Sequence, residues 1–484
     1  MHVSAKRLWG CLMAMLVSVT SFAASNNDLR LLEAVKNGKS EQTIRRLLEE
    51  HADPNASQTD GATALEWAVH RDDLEIAELL VRAGANVNRA NDYGTTPLWL
   101  ACSNGNIAIV ETLLQAGANP NAALASGETP LMAASEKSIE IARLLLAHGA
   151  DANAKEHTGG QTALMWAVAE KHPEIARVLI EHGADIHARS KSGFTPLHFA
   201  AQEGDLESAR LLRAKGADVN AASPNYGTPL LVATINDQQE VALFLLENGA
   251  DPNAVDSHGF SVLHYAAASD GDKLEKLVKA LLTHGANPNS RLAKIAGVIP
   301  VVEAPVGATP FLLATDAHNV RIMRILADGG TDPLLATTKI VQSRTLQSLG
   351  DTTPLMMAAG LGRYLNLSEY TEEEEKGALE AAKLAVELGT DVNAANEYGW
   401  TALHIAAYIG ANTIIQFLVD KGAKIDVMDN FGQTPLSIAS RIITEQMNLY
   451  VGRPRKFREG TVSLLLKLGA TPLTASGVKP ALIQ

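Results

Sequence analysis

Small and apolar residues recur along this chain on a helical period, broken at fixed distances by Gly and by Asp or Asn. Residues 195–220 carry one unit of the pattern. Leu197, Ala200 and Ala201 fall at i, i+3 and i+4, the spacing of one helix face. Thr195 is placed to cap the start of that helix. Pro196 stands at the first helical position, where a missing N–H costs nothing, and Gly204 ends the helix. Asp205 opens a second helix, with Leu206, Ala209 and Leu212 predicted inward, and Gly216 stops it. Asp218 and Asn220 begin an extended turn that leads to the next Gly and Thr.

The unit repeats from end to end. Its opening Thr or Ser falls at Thr63, Thr96, Thr129, Thr162, Thr195, Thr228 and Ser261, every interval being 33 residues. It falls again at Thr309, Thr353, Thr401 and Thr434, at intervals of 48, 44, 48 and 33. A degenerate first copy over residues 28–55 brings the number to 12. Each predicted helix is shorter than the ~12–15 residues that hold together alone in water. One copy therefore has no stability of its own, and its apolar face must be buried against its neighbours. The expected fold is a mostly α solenoid of helix-turn-helix units joined by extended turns.

The motifs GTTPLWLAC (residues 94–102), GFTPLHFAA (193–201) and GWTALHIAA (399–407) make this repeat resemble the ankyrin repeat, over roughly residues 28–472. Departures are Glu66, Trp99, Met132 and Met165 where the motif has His, and Ala64, Ala163 and Ala402 where it has Pro. The resemblance implies two antiparallel helices and a finger per copy. It also implies a hydrogen bond from His198, His264 and His404 to the loop, and recognition of a protein partner along a concave face of fingers and inner helices.

The regularity ends after about eight copies, so residues 24–289 and 290–472 read as two regions, followed by a tail at 473–484. The finger between Asn287 and Thr309 is 12 residues longer than normal and contains Ile295, Val298, Ile299, Val301 and Val302. The finger between Asp332 and Thr353 is 11 longer. Two later insertions fall between the helices of a copy, and the second carries Arg453, Arg455, Lys456 and Arg458, a basic patch on an acidic chain. Insertions in repeat proteins map to loops, often on the binding face. Aromatic residues flank the fingertip Gly at Tyr93, Phe194, Tyr226, Phe260, Tyr398, Trp400 and Phe431. The candidate partner-binding set is the apolar finger Ile295, Val298, Ile299, Val301 and Val302 together with Tyr398 and Trp400. The basic patch is a possible second site. Trp67 and Trp166 read as half-buried helix packing.

Composition and charge narrow the function. Lys6 and Arg7 precede a mostly apolar run over residues 8–22, and Ser21 and Ala23 are small residues suited to cleavage, so residues 1–23 read as a secretory signal peptide. The expected location is the periplasm or the exterior. Cys11 leaves with the leader, and the remaining Cys102 fills an Ala slot as a buried, inert thiol. The formal net charge of −13 becomes two units more negative once the leader is removed, which disfavours nucleic acid as a partner. No later stretch is long and apolar enough to span a membrane, and a monomer is expected.

The 14 His residues invite a metal, but one per copy cannot easily converge on one ion. His148, His182 and His284 end outer helices, where a cation suits the dipole. His70-Arg71-Asp72 and Gly38-Lys39-Ser40 are fragments at helix-to-helix turns without the partners that kinase or phosphate-loop chemistry requires. Asn55-Ala56-Ser57 and Asn366-Leu367-Ser368 form glycosylation sequons, and Glu372 to Glu375 after Thr371 suit a helix cap. No catalytic residue, cofactor or metal is assigned. The expected function is a non-enzymatic interaction scaffold. The alternative is an enzyme or small-ligand protein whose site is built from the C-terminal insertions.

Overall fold

A computed structural model describes residues 28–269, 274–292, 306–338, 350–361, 370–440 and 458–472. Among these residues are 24 α-helices and no strands. Each copy contributes a leading and a trailing helix. They are α1 (Arg30–Lys36) and α2 (Glu41–Glu49), α3 (Ala64–His70) and α4 (Leu74–Arg82), α5 (Pro97–Asn104) and α6 (Ile107–Gln115), α7 (Pro130–Ser135) and α8 (Ile139–Ala147). Next come α9 (Ala163–Ala169) and α10 (Pro173–Glu181), α11 (Pro196–Glu203) and α12 (Leu206–Ala214), α13 (Pro229–Ile235) and α14 (Gln239–Glu247), α15 (Val262–Ala268) and α16 (Glu275–Thr283). The last are α17 (Pro310–Asp316) and α18 (Val320–Asp328), α19 (Pro354–Ala358) and α20 (Glu372–Glu387), α21 (Ala402–Ile409) and α22 (Asn412–Asp420), α23 (Pro435–Ala439) and α24 (Glu459–Lys467).

The chain divides into two compact units, one running to residue 125 and including 147–150, the other comprising 126–146 and everything from 151 on. Within the first, α1, α3 and α5 pack in series, as do α2, α4 and α6. Within the second, the leading helices α7, α9, α11, α13, α15, α17 and α19 pack in series, and α21 packs on α23. The trailing helices from α10 to α24 form a parallel series of their own.

Local chemistry sets the helix ends. The hydroxyls of Thr63, Thr96, Thr129, Thr162, Thr309 and Thr353 accept the amide three residues on, at 3.2–3.4 Å. Such a cap contributes about 1 kcal/mol. The apolar residue two places further on, from Leu65 to Leu436, is no more than 2% exposed in any copy described. On α12, Asp205 caps through the Ser208 amide at 3.0 Å. Ala209 and Leu212 are fully buried, as predicted, but Leu206 is only half-buried. It stands in the first turn, at the solvent end of the helix, and Ser208 and Leu211 take the inward positions instead. After α12 the amide of Ala217 reaches back to Leu212 O at 3.0 Å past Gly216 at φ +98°.

The turn beyond each trailing helix is stitched to the next copy by an Asn. Asn220 Nδ2 donates to Gly249 O at 3.1 Å, and its Oδ1 accepts from Asp251 N at 2.8 Å. Asn55, Asn88, Asn153, Asn253 and Asn393 make the same two bonds. The sequon at Asn55 is thus occupied by a structural side chain. His187 fills the equivalent position without bridging, and Leu334 does so while 55% exposed.

The described flanks show how the chain accommodates its extra length. Leu292 N bonds Ala308 O at 3.1 Å, and Gly307 N bonds Leu292 O at 2.8 Å. Thr337 N likewise bonds Thr352 O at 3.0 Å. Each long finger therefore springs from a base of ordinary hairpin pairing. Thr371 and Glu374 form a reciprocal capping box on α20, the role expected of that acidic run. Cys102 is a free thiol with no exposure, and burial raises its pKa.

Candidate protein-binding surface

Four of the described fingers are organised around an Asp or Asn five residues before the motif Thr or Ser. Asp256 Oδ1 accepts the amides of His258 and Phe260, both at 2.9 Å. Asn91, Asn396 and Asp429 do the same in their fingers. This turn directs the residue after the fingertip Gly inward and the residue before it outward. Phe194, Phe260 and Trp400, after Gly, are at most 7% exposed. Tyr93 and Tyr226, before Gly, are 61% and 47% exposed, while Tyr398 and Phe431 are half-buried and stack on each other with centroids 6.2 Å apart.

The reading of Trp400 as a partner-binding residue is therefore corrected. Its ring is 2% exposed, and its indole N–H donates to Asp429 Oδ2 on the next finger at 2.9 Å. Tyr398 keeps part of its ring at the surface. Ile295, Val298, Ile299, Val301 and Val302 lie outside the described residues, as do Arg453, Arg455 and Lys456. Arg458, grouped with that basic patch, is half-buried and donates through Nε to Tyr408 O at 2.9 Å. Its cation lies in the last turn of α21, where the helix dipole favours it. Trp67 and Trp166 are half-buried, as expected, and the Lys36 ammonium sits 5.0 Å from the centre of the Trp67 ring.

The histidines of the motif hold the register between copies. The Thr195 amide donates to His198 Nδ1 at 3.1 Å, so the ring proton resides on Nε2, which donates to Gly227 O of the next finger at 3.1 Å. His264 reaches Ala308 O at 3.2 Å and His404 reaches Gln433 O at 3.1 Å. All three rings are fully buried, and burial pushes His198 and His264 down to about 4 and His404 downward. Such rings are committed to the scaffold. In the first unit Glu66 occupies the same slot. It is 8% exposed, accepts from Asn91 Nδ2 at 2.5 Å, and burial pushes its carboxyl up to about 7. His182 and His284 close their helices through Nδ1 to the carbonyls of Val178 and Ala280, both at 2.8 Å.

One feature escaped the reading of the sequence. Lys155 and His157 on one finger and Arg189 and Lys191 on the next surround an open depression of about 420 Å³. The only earlier sign is that these cations recur near the repeat period in an acidic chain, Lys155 and Arg189 being 34 residues apart. Other exposed apolar side chains on the fingers are Val255 and Met428, at 54% and 67%. Among the described residues no group of three His, Cys, Asp or Glu converges as metal ligands, and no helix is long and apolar enough to cross a membrane.

Comparison with known proteins adds to this geometry. The family described as "Ankyrin repeats (3 copies)" matches residues 31–124, 117–190, 157–223, 197–292 and 373–444. An ankyrin repeat protein of fowlpox virus (strain NVSL) is 33% identical over 192 residues, 37% of this chain and 90% of its own length. Protein phosphatase 1 regulatory subunit 27 of Homo sapiens is 34% identical over 86 residues, 18% of this chain and 56% of that protein. The Notch-regulated ankyrin repeat-containing protein of Xenopus tropicalis is 51% identical over 45 residues, 9% of this chain and 40% of that protein. The chain thus spans little more than half of the human relative and less than half of the frog one.

Proposed function

Because this chain belongs to the ankyrin-repeat family, we propose that it is a protein-interaction scaffold with no catalytic chemistry of its own, acting outside the cytoplasm and gripping its partner with fingers and leading helices. The observation that carries this reading is the division of labour within each finger. One side is buried and hydrogen-bonded, whereas the other presents Tyr93, Tyr226, Val255 and Met428 to solvent. Large rings held on rigid turns lose little entropy on binding and serve well as anchors. The phosphatase relative is by name a regulatory subunit, which supports an interaction role. The location rests on residues 1–23, which lie outside the described part.

The apolar finger supplies one proposed anchor in the C-terminal half. Since Leu292 and Ala308 already pair at its base, excising residues 293–305 with a short Gly linker should leave the helices intact. Captured from the organism's own envelope extract, the partner should be lost on this excision or on Tyr226→Ala with Met428→Ser. Capture indifferent to all three changes would reject the finger surface. A fusion of residues 1–30 to alkaline phosphatase, active only after export, tests the location. An inactive fusion in a bacterial host argues against it.

A further inference from the structure

We propose that the depression between the fingers of residues 151–161 and 185–194 binds a short acidic segment of a protein partner, an inference that rests on the interaction reading above. Lys155 Nζ donates to Arg189 O at 2.8 Å, Lys191 Nζ donates to His157 O, and Arg189 Nη1 donates to Gly193 O and Ala222 O, both at 2.9 Å. These carbonyl bonds orient three cations without neutralising them. Each ammonium keeps two further N–H groups and the guanidinium keeps its Nε and Nη2 edge, and among the described residues none of the three has a carboxylate ion-pair partner.

The carboxylate that lines the depression with them is already engaged. Glu156 is 6% exposed and accepts the amides of Thr158, Gly159 (2.6 Å) and Gln161 (2.9 Å), so it shapes the turn beneath the depression. Like charges lining one depression repel one another, and the Glu156 carboxylate there is spent on backbone amides rather than on an ion pair with any of them. An anionic ligand removes that repulsion and finds preoriented donors. Beside the charges, Tyr226 on the following finger meets Phe194 edge-on with centroids 5.3 Å apart, an exposed ring next to a basic cleft.

The ligand is a short peptide carrying carboxylates rather than a nucleic acid. The cleft has room for a few side chains, and beyond it a chain of net charge −13 repels a long polyanion. The probe is a fluorescein-labelled peptide of alternating Glu and Gly with one Phe, read by anisotropy on the full chain, with its Gln counterpart as control. The Glu peptide should bind at least about tenfold more tightly than the Gln peptide and weaken as salt rises. Lys155→Gln and Lys191→Gln should each weaken it about fivefold, as expected for an exposed charge contact, while Lys155→Arg and Lys191→Arg retain it. Unchanged circular dichroism and melting would show that the Gln variants remain folded. Equal binding of both peptides, an unaltered affinity in the double Gln variant, or preferential binding of a short RNA or of inorganic phosphate would each overturn the proposal. If the double variant also captures the partner protein as well as the parent does, the acidic segment is refuted while the scaffold reading stands.

Discussion

Lys171 follows the last turn of α9 with φ +60°, in the left-handed region where α5, α11 and α21 place Gly105, Gly204 and Gly410. A β-carbon there costs about 1–2 kcal/mol, partly offset by the unfolded-state freedom that Gly brings. Lys171→Gly should therefore raise stability by roughly 0.5 kcal/mol in urea titration, and a loss would mean that the lysine has a contact of its own. The buried titratable residues give opposite pH dependences. Glu66, pushed up to about 7 from an ordinary 4.5, holds its proton more tightly folded than unfolded, so its contribution declines as pH rises from about 4.5 to about 7. His198 and His264, pushed down to about 4 from 6.5, contribute fully above pH 6.5 and lose that contribution as pH falls towards 4. Glu66→Gln keeps an oxygen for Asn91 but never ionises. It should be more stable than the parent at pH 8, by about 2–4 kcal/mol if the first unit unfolds cooperatively, and nearly equal to it at pH 4.5. The same difference at both pH values would show that ionisation is not the cause.

Short-range chemistry made the elements legible. Thr–Pro at a helix start, Gly at its end and the His-to-finger bond depend on a few adjacent residues and one fixed offset, and all three appear where the repeat places them. The fingers were legible only in part, because an aromatic beside Gly has two possible orientations. The Asx turn five residues before Thr decides between them, burying Phe260 and Trp400 while exposing Tyr93. The bridging Asn is an element-scale device too. Asn220→Ala removes two exposed hydrogen bonds and should cost roughly 1–2 kcal/mol by urea titration. His187→Asn restores a donor and an acceptor opposite Gly216 and Asp218 and should add roughly 0.5–1 kcal/mol. A neutral result for both would show that water serves these groups equally well.

At the scale of the whole molecule, stability is the sum of small units and the contacts between neighbours. Deleting residues 195–227 joins Phe194 to Thr228 and preserves the motif, so the product should remain soluble and helical by circular dichroism. Deleting residues 195–211 severs α11 from its trailing partner and should yield an aggregating or partly unfolded chain. If the two deletions behave alike, the copies are not the units of folding. What reading along the chain could not give was the basic cleft. Lys155, Arg189 and Lys191 mean little one by one, and only stacking at the repeat spacing turns them into a surface. The missing bridge at His187 also matters under load. Each bridging Asn acts as a latch across a seam, and a protein pulled from its two ends yields first where a latch is absent. In an optical trap, the first rupture within the second unit should fall at one of the two seams that lack this latch, at His187 or at Leu334, and His187→Asn should confine it to the Leu334 seam.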